Sequence, residues 1–191
     1  RVSRRAGAGR TTRSCPKKRP SPQERRASAA PPRMTRTGVG YDSHRFAEGR
    51  PLILGGQHIP FERGLAGHSD ADAVAHALTD AILGAAAAGD IGRLFPDSDP
   101  RWKDANSLEL LRLAVAHIRT AGFRPVQADI TIILERPKLA PHLDVMAAAL
   151  ASALGVAPSA IGLKAKTNEG MGFVGRGEGI AVIAVANVEA A

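Results

Sequence analysis

Tyr41-Asp42-Ser43-His44 and, further along, His68-Ser69-Asp70-Ala71-Asp72-Ala73-Val74-Ala75-His76 decide how this chain is read. The first stretch lies in a run, 37–46, with strand character. The second opens an Ala- and Leu-rich run with the apolar spacing of a helix. Residues two apart on a strand point to the same face, so Asp42 and His44 look the same way. His76 lies inside the helical run, so a strand and a helix converge on one point. Two imidazoles and a carboxylate can hold zinc. A structural zinc site is usually closed by four protein ligands, often Cys, whereas a catalytic site keeps one position open. The single Cys, Cys15, lies far upstream, so three ligands and an open position fit catalysis better than scaffolding.

Val74, Leu78, Ile82 and Leu83 recur at helical spacing over residues 70–88, with Ser69 as the expected N-cap, Asp72 in the capping-box position and Gly89 as the stop. A short strand is expected at 52–54, before Gly55-Gly56. Residues 95–100 read as a loop. A second helix, capped by Asn106 or Ser107, carries Leu110, Leu111, Val115 and Ile118 on one face and ends near Gly122. Strand 126–134 shows Ile130, Ile132 and Leu134 in alternation. A third helix over 141–154 is closed by Gly155, and strands at 163–166 and 179–188 follow. The order β-β-α-α-β-α-β-β predicts an α+β domain with helices packed on one face of a sheet. The last strand is apolar almost without alternation from Ile180 to Ala186, which predicts burial on both faces.

Charge divides the chain. The formal net charge is +8, but residues 1–33 hold eleven Lys/Arg against one acid, Glu24. The remaining 158 residues carry 15 basic and 17 acidic side chains, a net of −2. A nucleic-acid domain is expected to carry its basic patch on its folded face, and this core has no such excess. The 1–33 stretch, rich in Arg, Pro, Ser and Ala, reads as a disordered extension. Met34 is taken as the natural start; the alternative is a targeting peptide. The lone Cys predicts a reducing compartment. No apolar run is long enough to span a bilayer as a helix, and the Ala-rich run at 81–88 is bracketed by Asp80 and Asp90.

Each candidate residue has a plain alternative. A lone His in an apolar helix is ordinarily a satisfied core residue. Asp72, His76 and Asp80, however, recur at i, i+4 and i+8, one helix face, and burying three polar groups without partners is costly. Asp72 or Asp80 could orient an imidazole from behind. His68 is either an ordinary loop residue or a contact to an anion near a helix N-terminus. Asp90-Ile91-Gly92 and Phe95-Pro96-Asp97 could simply be helix termination and a turn, and Lys138 a solvated charge. Between Gly170 and Gly179, five Gly in ten residues suggest close backbone approach to a partner, without the spacing of a P-loop. Just before them, Glu169 could hold a hard divalent cation and Thr167 could hydrogen-bond a phosphate.

Taken in order, Gly40-Tyr41-Asp42-Ser43-His44, Gly67-His68-Ser69-Asp70-Ala71-Asp72, His76-Ala77-Leu78-Thr79-Asp80, Gly89-Asp90-Ile91-Gly92, Phe95-Pro96-Asp97 and Gly172-Phe173-Val174-Gly175-Arg176-Gly177-Glu178-Gly179 resemble the 2-C-methyl-D-erythritol 2,4-cyclodiphosphate synthase family over roughly residues 36–190. The resemblance implies an enzyme of the non-mevalonate isoprenoid pathway. Its reaction converts 4-diphosphocytidyl-2-C-methyl-D-erythritol 2-phosphate into the cyclic diphosphate and CMP. It implies zinc on Asp42, His44 and His76, and Mg²⁺ or Mn²⁺ bound by the substrate diphosphate with Glu169. His68 and Thr167 take the catalytic role of steadying the phosphates. Asp90, Ile91, Gly92, Phe95, Pro96, Asp97, Ser98 and Asp99 hold the methylerythritol part. Leu134, Lys138, Leu139 and Ala140 form the cytidine pocket, and Ser69, Lys166, Asn168, Phe173 and Arg176 complete the contacts. The family resemblance further implies a homotrimer with sites shared between subunits and an isoprenoid diphosphate held near Arg176 and Glu178 on the three-fold axis. It points to a bacterial cytoplasmic enzyme, or a plastid one if the extension is a transit peptide. The rivals are a zinc-dependent phosphohydrolase and a nucleic-acid-binding protein led by the basic extension.

Overall fold

The computed structural model describes residues 34–191, and the expectations for 1–33 lie outside the described residues. Five strands form one sheet: β1 (Thr35–Ala47), β4 (Gly64–Leu65), β5 (Phe123–Ile133), β6 (Ile161–Lys166) and β7 (Gly179–Ala190), in the order β4-β1-β7-β5-β6. β7 runs antiparallel to both neighbours, while β5 and β6 are parallel, so the sheet is mixed. A two-stranded ribbon, β2 (Leu52–Leu54) with β3 (Gln57–Ile59), stands apart. The helices are α1 (Ala73–Ala85), α2 (Ile91–Leu94), α3 (Ser107–Thr120), α4 (Leu143–Leu154) and α5 (Gly172–Gly175). This is the single α+β domain expected. No described helix is long and apolar enough to cross a membrane.

Glycine on β1 determines how closely α1 approaches. A Cβ on Gly40 would lie 1.9 Å from the Ala77 carbonyl oxygen, and one on Gly38 would lie 2.1 Å from that of Ala81. Both residues alternate onto the inner face of β1, in register with Asp42 and His44. Ala73, Ala77, Ala81 and Ala85 recur every four residues on α1 and are buried. Small residues on both elements therefore bring the helix backbone onto the strand. The apolar core is completed by Ile130 and Ile132 of β5, Ile180, Val182 and Ala184 of β7, and Leu111 and Ile118 of α3.

Several details differ from expectation. Helix α1 begins at Ala73, and its N-cap is Asp72 rather than Ser69. Asp72 accepts from Val74 and Ala75 N–H (both 3.1 Å) and also from Gly55 (2.9 Å) and Gly56 (2.6 Å). It therefore leaves the helix face it was expected to share with His76 and Asp80, and it pins the β2–β3 turn to the helix start. The helix ends at Ala85, short of Gly89; Ala87 takes a positive φ and the Ala88 N–H closes onto Leu83. Of the two caps expected for α3, Asn106 is the one observed. Strands β3 and β4 and the short helices α2 and α5 lie in Gly- and Pro-punctuated stretches whose periods are too short to read. On the outer face of β7, Gly179 and Ala181 are buried but Ile183 is 40 % and Val185 37 % exposed, beside Tyr41 (56 %) and Val39 (66 %) on β1. Among the described residues these four side chains form an exposed apolar patch on the sheet.

Candidate active site

Asp42 and His44 project from β1 toward the second turn of α1, where His76 meets them. Asp42 Oδ2 lies 2.9 Å from His44 Nε2 and 3.1 Å from His76 Nδ1, and the two ring nitrogens are 3.2 Å apart. Among the described residues these three form a group able to hold a metal, with ligand atoms within 4.8 Å of one another. The other ring nitrogens explain why. His44 Nδ1 sits 2.6 Å from the Ala66 carbonyl oxygen, which can only accept. That nitrogen therefore carries the proton of the neutral ring, and Nε2 turns a lone pair toward Asp42. A lone pair, a carboxylate oxygen and a second ring nitrogen at such distances repel one another unless a cation or a proton lies between them. The donor set fits zinc on chemistry as well as spacing.

Electrostatics follow from the same contacts. Burial would raise the Asp42 pKa, but hydrogen bonds and charge from His44 and His76 hold it well below the usual carboxylate range. Burial would lower the His44 pKa, but the hydrogen bond and charge of Asp42 outweigh it and raise it above 6.5. Neither Asp72 nor Asp80 touches an imidazole, contrary to expectation. Asp80 accepts the Ile91 N–H at 2.7 Å and so ties α1 to the 90–92 segment.

A cleft of about 290 Å³ opens over the triad. It brings together Asp42, His44, His68, Ser69, His76, Ile91, Gly92, Phe95 and Asp97, and adds Gly67, Trp102 and Leu110, which were not among the expected site residues. His68 Nε2 is buried with no hydrogen-bond partner, which favours a ligand contact over the plain loop alternative. Asp90 caps α2 through the Arg93 N–H, and Asp99 caps a 3₁₀ turn and pairs with Arg101; neither these two nor Pro96 and Ser98 line the cleft.

A separate concavity of about 190 Å³ gathers Leu134, Lys138, Leu139, Ala140, Lys166 and Thr167 with Glu135. Leu134 and Leu139 are themselves almost fully buried. Glu169, with a positive φ, accepts from Thr167 Oγ1 and is not part of the triad within one chain. Asn168 donates its side-chain amide to the Met171 carbonyl. Phe173 borders a third hollow with Ser43, His44, Arg45 and Glu178, and Arg176 pairs with Glu178 at 2.6 Å.

Three supporting contacts have no local signal in the sequence. Arg50 donates to the Gly67 and Ser69 carbonyls (2.6 and 2.5 Å), clamping the segment that carries His68. Glu135 accepts from Asn168 and Gly170 N–H (3.0 and 3.2 Å), shaping the 168–170 loop. Ser107 stands 2.9 Å behind His76. All three act across long sequence separations, where no local period marks them.

The YgbB family model matches residues 35–189, the whole sheet and the triad. The chain belongs to the YgbB family. A 2-C-methyl-D-erythritol 2,4-cyclodiphosphate synthase of Salinibacter ruber is 55 % identical over 156 residues, covering 82 % of this chain and 99 % of that protein. The solved bifunctional IspDF from Campylobacter jejuni is 45 % identical with a TM-score of 0.81; the match covers 84 % of this chain and 44 % of that longer one. A solved 2C-methyl-D-erythritol-2,4-cyclodiphosphate synthase in a CDP-bound form is 44 % identical, TM-score 0.73, covering 79 % of this chain and 98 % of that one. The YgbB match thus includes every triad residue, the cleft over the triad and the concavity around Lys138.

Proposed function

We infer that this chain cyclises 4-diphosphocytidyl-2-C-methyl-D-erythritol 2-phosphate, an enzyme activity of the non-mevalonate pathway. An oxygen of the 2-phosphate attacks the β-phosphorus, the bond from that phosphorus to the bridging oxygen breaks, and CMP leaves with that oxygen. The observation that carries this is the near full-length identity to a synthase, joined to a triad that opens into a cleft. The nucleophile belongs to the substrate, so the protein needs no activated Ser or Cys. Its task is to fold the substrate into line and to offset accumulating negative charge.

Asp42, His44 and His76 would hold zinc, which as a Lewis acid supplies charge stabilisation at a phosphate oxygen. His68, with its unpartnered Nε2, donates to a phosphate, and Ile91, Gly92, Phe95 and Asp97 enclose the methylerythritol part. The concavity around Lys138 takes the cytidine, with Thr167 and Glu169 beside it for the diphosphate and its Mg²⁺ or Mn²⁺. The triad and the Lys138 concavity are separate within one chain, and among the described residues Val39, Tyr41, Ile183 and Val185 leave an apolar patch of the sheet exposed. Both facts support a trimer in which one subunit's cytidine pocket completes another's metal site. Arg176 and Glu178 would then stand near the axis, available to an isoprenoid diphosphate.

The test is incubation with the cytidyl substrate followed by phosphorus NMR. CMP and a cyclic diphosphate in equal amounts are expected. CMP with an acyclic 2,4-bisphosphate would instead identify a zinc-dependent phosphohydrolase.

A further inference from the structure

Ser107 has no capping duty, because the Asn106 side chain accepts the Leu108 and Glu109 N–H groups at the start of α3. Yet Ser107 is fully buried, and its hydroxyl is held between Asp70 and His76, with Ser69 Oγ further off at 3.4 Å. On one side it bonds Asp70 Oδ1, while the Ser107 backbone N–H donates to Asp70 Oδ2 at 3.0 Å. On the other side, Ser107 Oγ lies 2.9 Å from His76 Nε2. Asp70 is itself fixed, since its N–H donates to the Ala105 carbonyl at 3.0 Å.

The directions of these bonds are set by what each group can do. An ionised carboxylate only accepts, so the single Ser107 hydroxyl proton goes to Asp70. Ser107 Oγ is then left with lone pairs facing His76 Nε2. A deprotonated Nε2 at 2.9 Å would set lone pair against lone pair, so Nε2 carries the proton. The His76 lone pair is thereby placed on Nδ1, the nitrogen that faces Asp42 and His44. Ser69 Oγ, 3.1 Å from Nε2, is the one other hydroxyl near that nitrogen. It offers a second acceptor and, in principle, a competing donor.

We propose that Asp70 and Ser107 are positioning residues that act through His76: the chain Asp70–Ser107–His76 selects the tautomer that can bind metal. The proposal rests on the zinc-site reading above. A ligating imidazole supported from behind is oriented and made more basic, and loss of such support typically weakens metal affinity by about 10–100-fold. Asp70→Asn should do more than remove support. If the new amide oxygen accepts the Ser107 N–H, its amide nitrogen faces Ser107 Oγ and donates. The Ser107 proton then turns to His76 Nε2 and drives the ring proton onto Nδ1, which blocks the ligand atom. Ser107→Ala should be milder, because Nε2–H can still reach Ser69 Oγ.

Two measurements on the full chain decide the matter. Long-range proton–nitrogen NMR of metal-free, histidine-labelled protein with neutral rings should show His76 protonated at Nε2, with assignment by loss of the signal in His76→Gln. Zinc competition titrations should give affinity falling in the order parent, Ser107→Ala, Asp70→Asn, the last weakened by about 10–100-fold with its ring proton moved to Nδ1. A parent His76 protonated at Nδ1 would overturn the proposal, and so would zinc affinities within about twofold for both variants. If a variant does not fold, by circular dichroism of the metal-free protein, the parent spectrum decides alone. If the parent shows the Nε2 proton but binds no zinc, the zinc reading fails and the tautomer relay stands.

Discussion

Asp72 shows how one side chain can carry two elements. It is fully buried and takes four backbone N–H groups, two from α1 and two from the Gly55-Gly56 turn. Asp72→Ala removes a helix cap and strands two buried turn donors, a cost of about 3 kcal/mol. Chemical denaturation should show it, and a loss under about 1 kcal/mol would contradict the assignment. At the triad, proton competition has a defined sign. The raised His44 pKa means that the protonated ring stabilises the metal-free fold below about 6.5, and that this contribution is lost as pH rises through the raised value. Zinc needs the neutral ring, so its affinity should climb with pH through the same window. Competition titrations from about pH 6 to about pH 8 check this, and a flat profile would count against it. Asp42, His44 and His76 were legible in the sequence because strand and helix periods place them. Asp72 was misplaced because a cap and a helix-face residue look alike until the first turn is located. Ser107, Arg50 and Ala66 were not legible, because their contacts join elements far apart in the chain.

Among the elements, the closest fit is between β1 and α1. The Gly38 and Gly40 positions let the helix backbone rest on the strand, and that approach sets the distance from His76 to Asp42. Gly40→Ala should cost about 1–3 kcal/mol through overpacking and should weaken zinc binding as α1 is pushed outward. Thermal melts and zinc titration together check it; unchanged values in both would mean the fit is looser than described. The long elements β1, α1, α3, β5, α4 and β7 were anticipated because each spans several periods of its pattern. Helix α4 also ends where expected, at a left-handed Gly155 whose N–H returns to Ala151. The ribbon β2–β3, strand β4 and helices α2 and α5 were missed or only half seen, since each is held by tertiary contacts rather than by its own period.

For the whole molecule, the bare face bearing Val39, Tyr41, Ile183 and Val185 needs a cover, and a second copy of this chain is the occupant proposed. A mixing experiment tests site sharing. His76→Ala and Lys138→Ala chains, each weak alone, should regain activity when dissociated and reassembled together. No recovery despite demonstrated hybrids, or a monomeric mass by light scattering, would count against the shared site. Residues 1–33 hold none of the motif residues, so a fragment of residues 34–191 should retain turnover within about tenfold, or about 1.4 kcal/mol of barrier. A larger loss would assign the extension a role. In the cyclisation proposed above, the attacking oxygen comes from the substrate's own phosphate. Turnover in heavy-oxygen water with mass analysis of the products tests it directly. No solvent oxygen is expected in either the cyclic diphosphate or CMP. One solvent oxygen incorporated per turnover would mean that water is the nucleophile, and would contradict it.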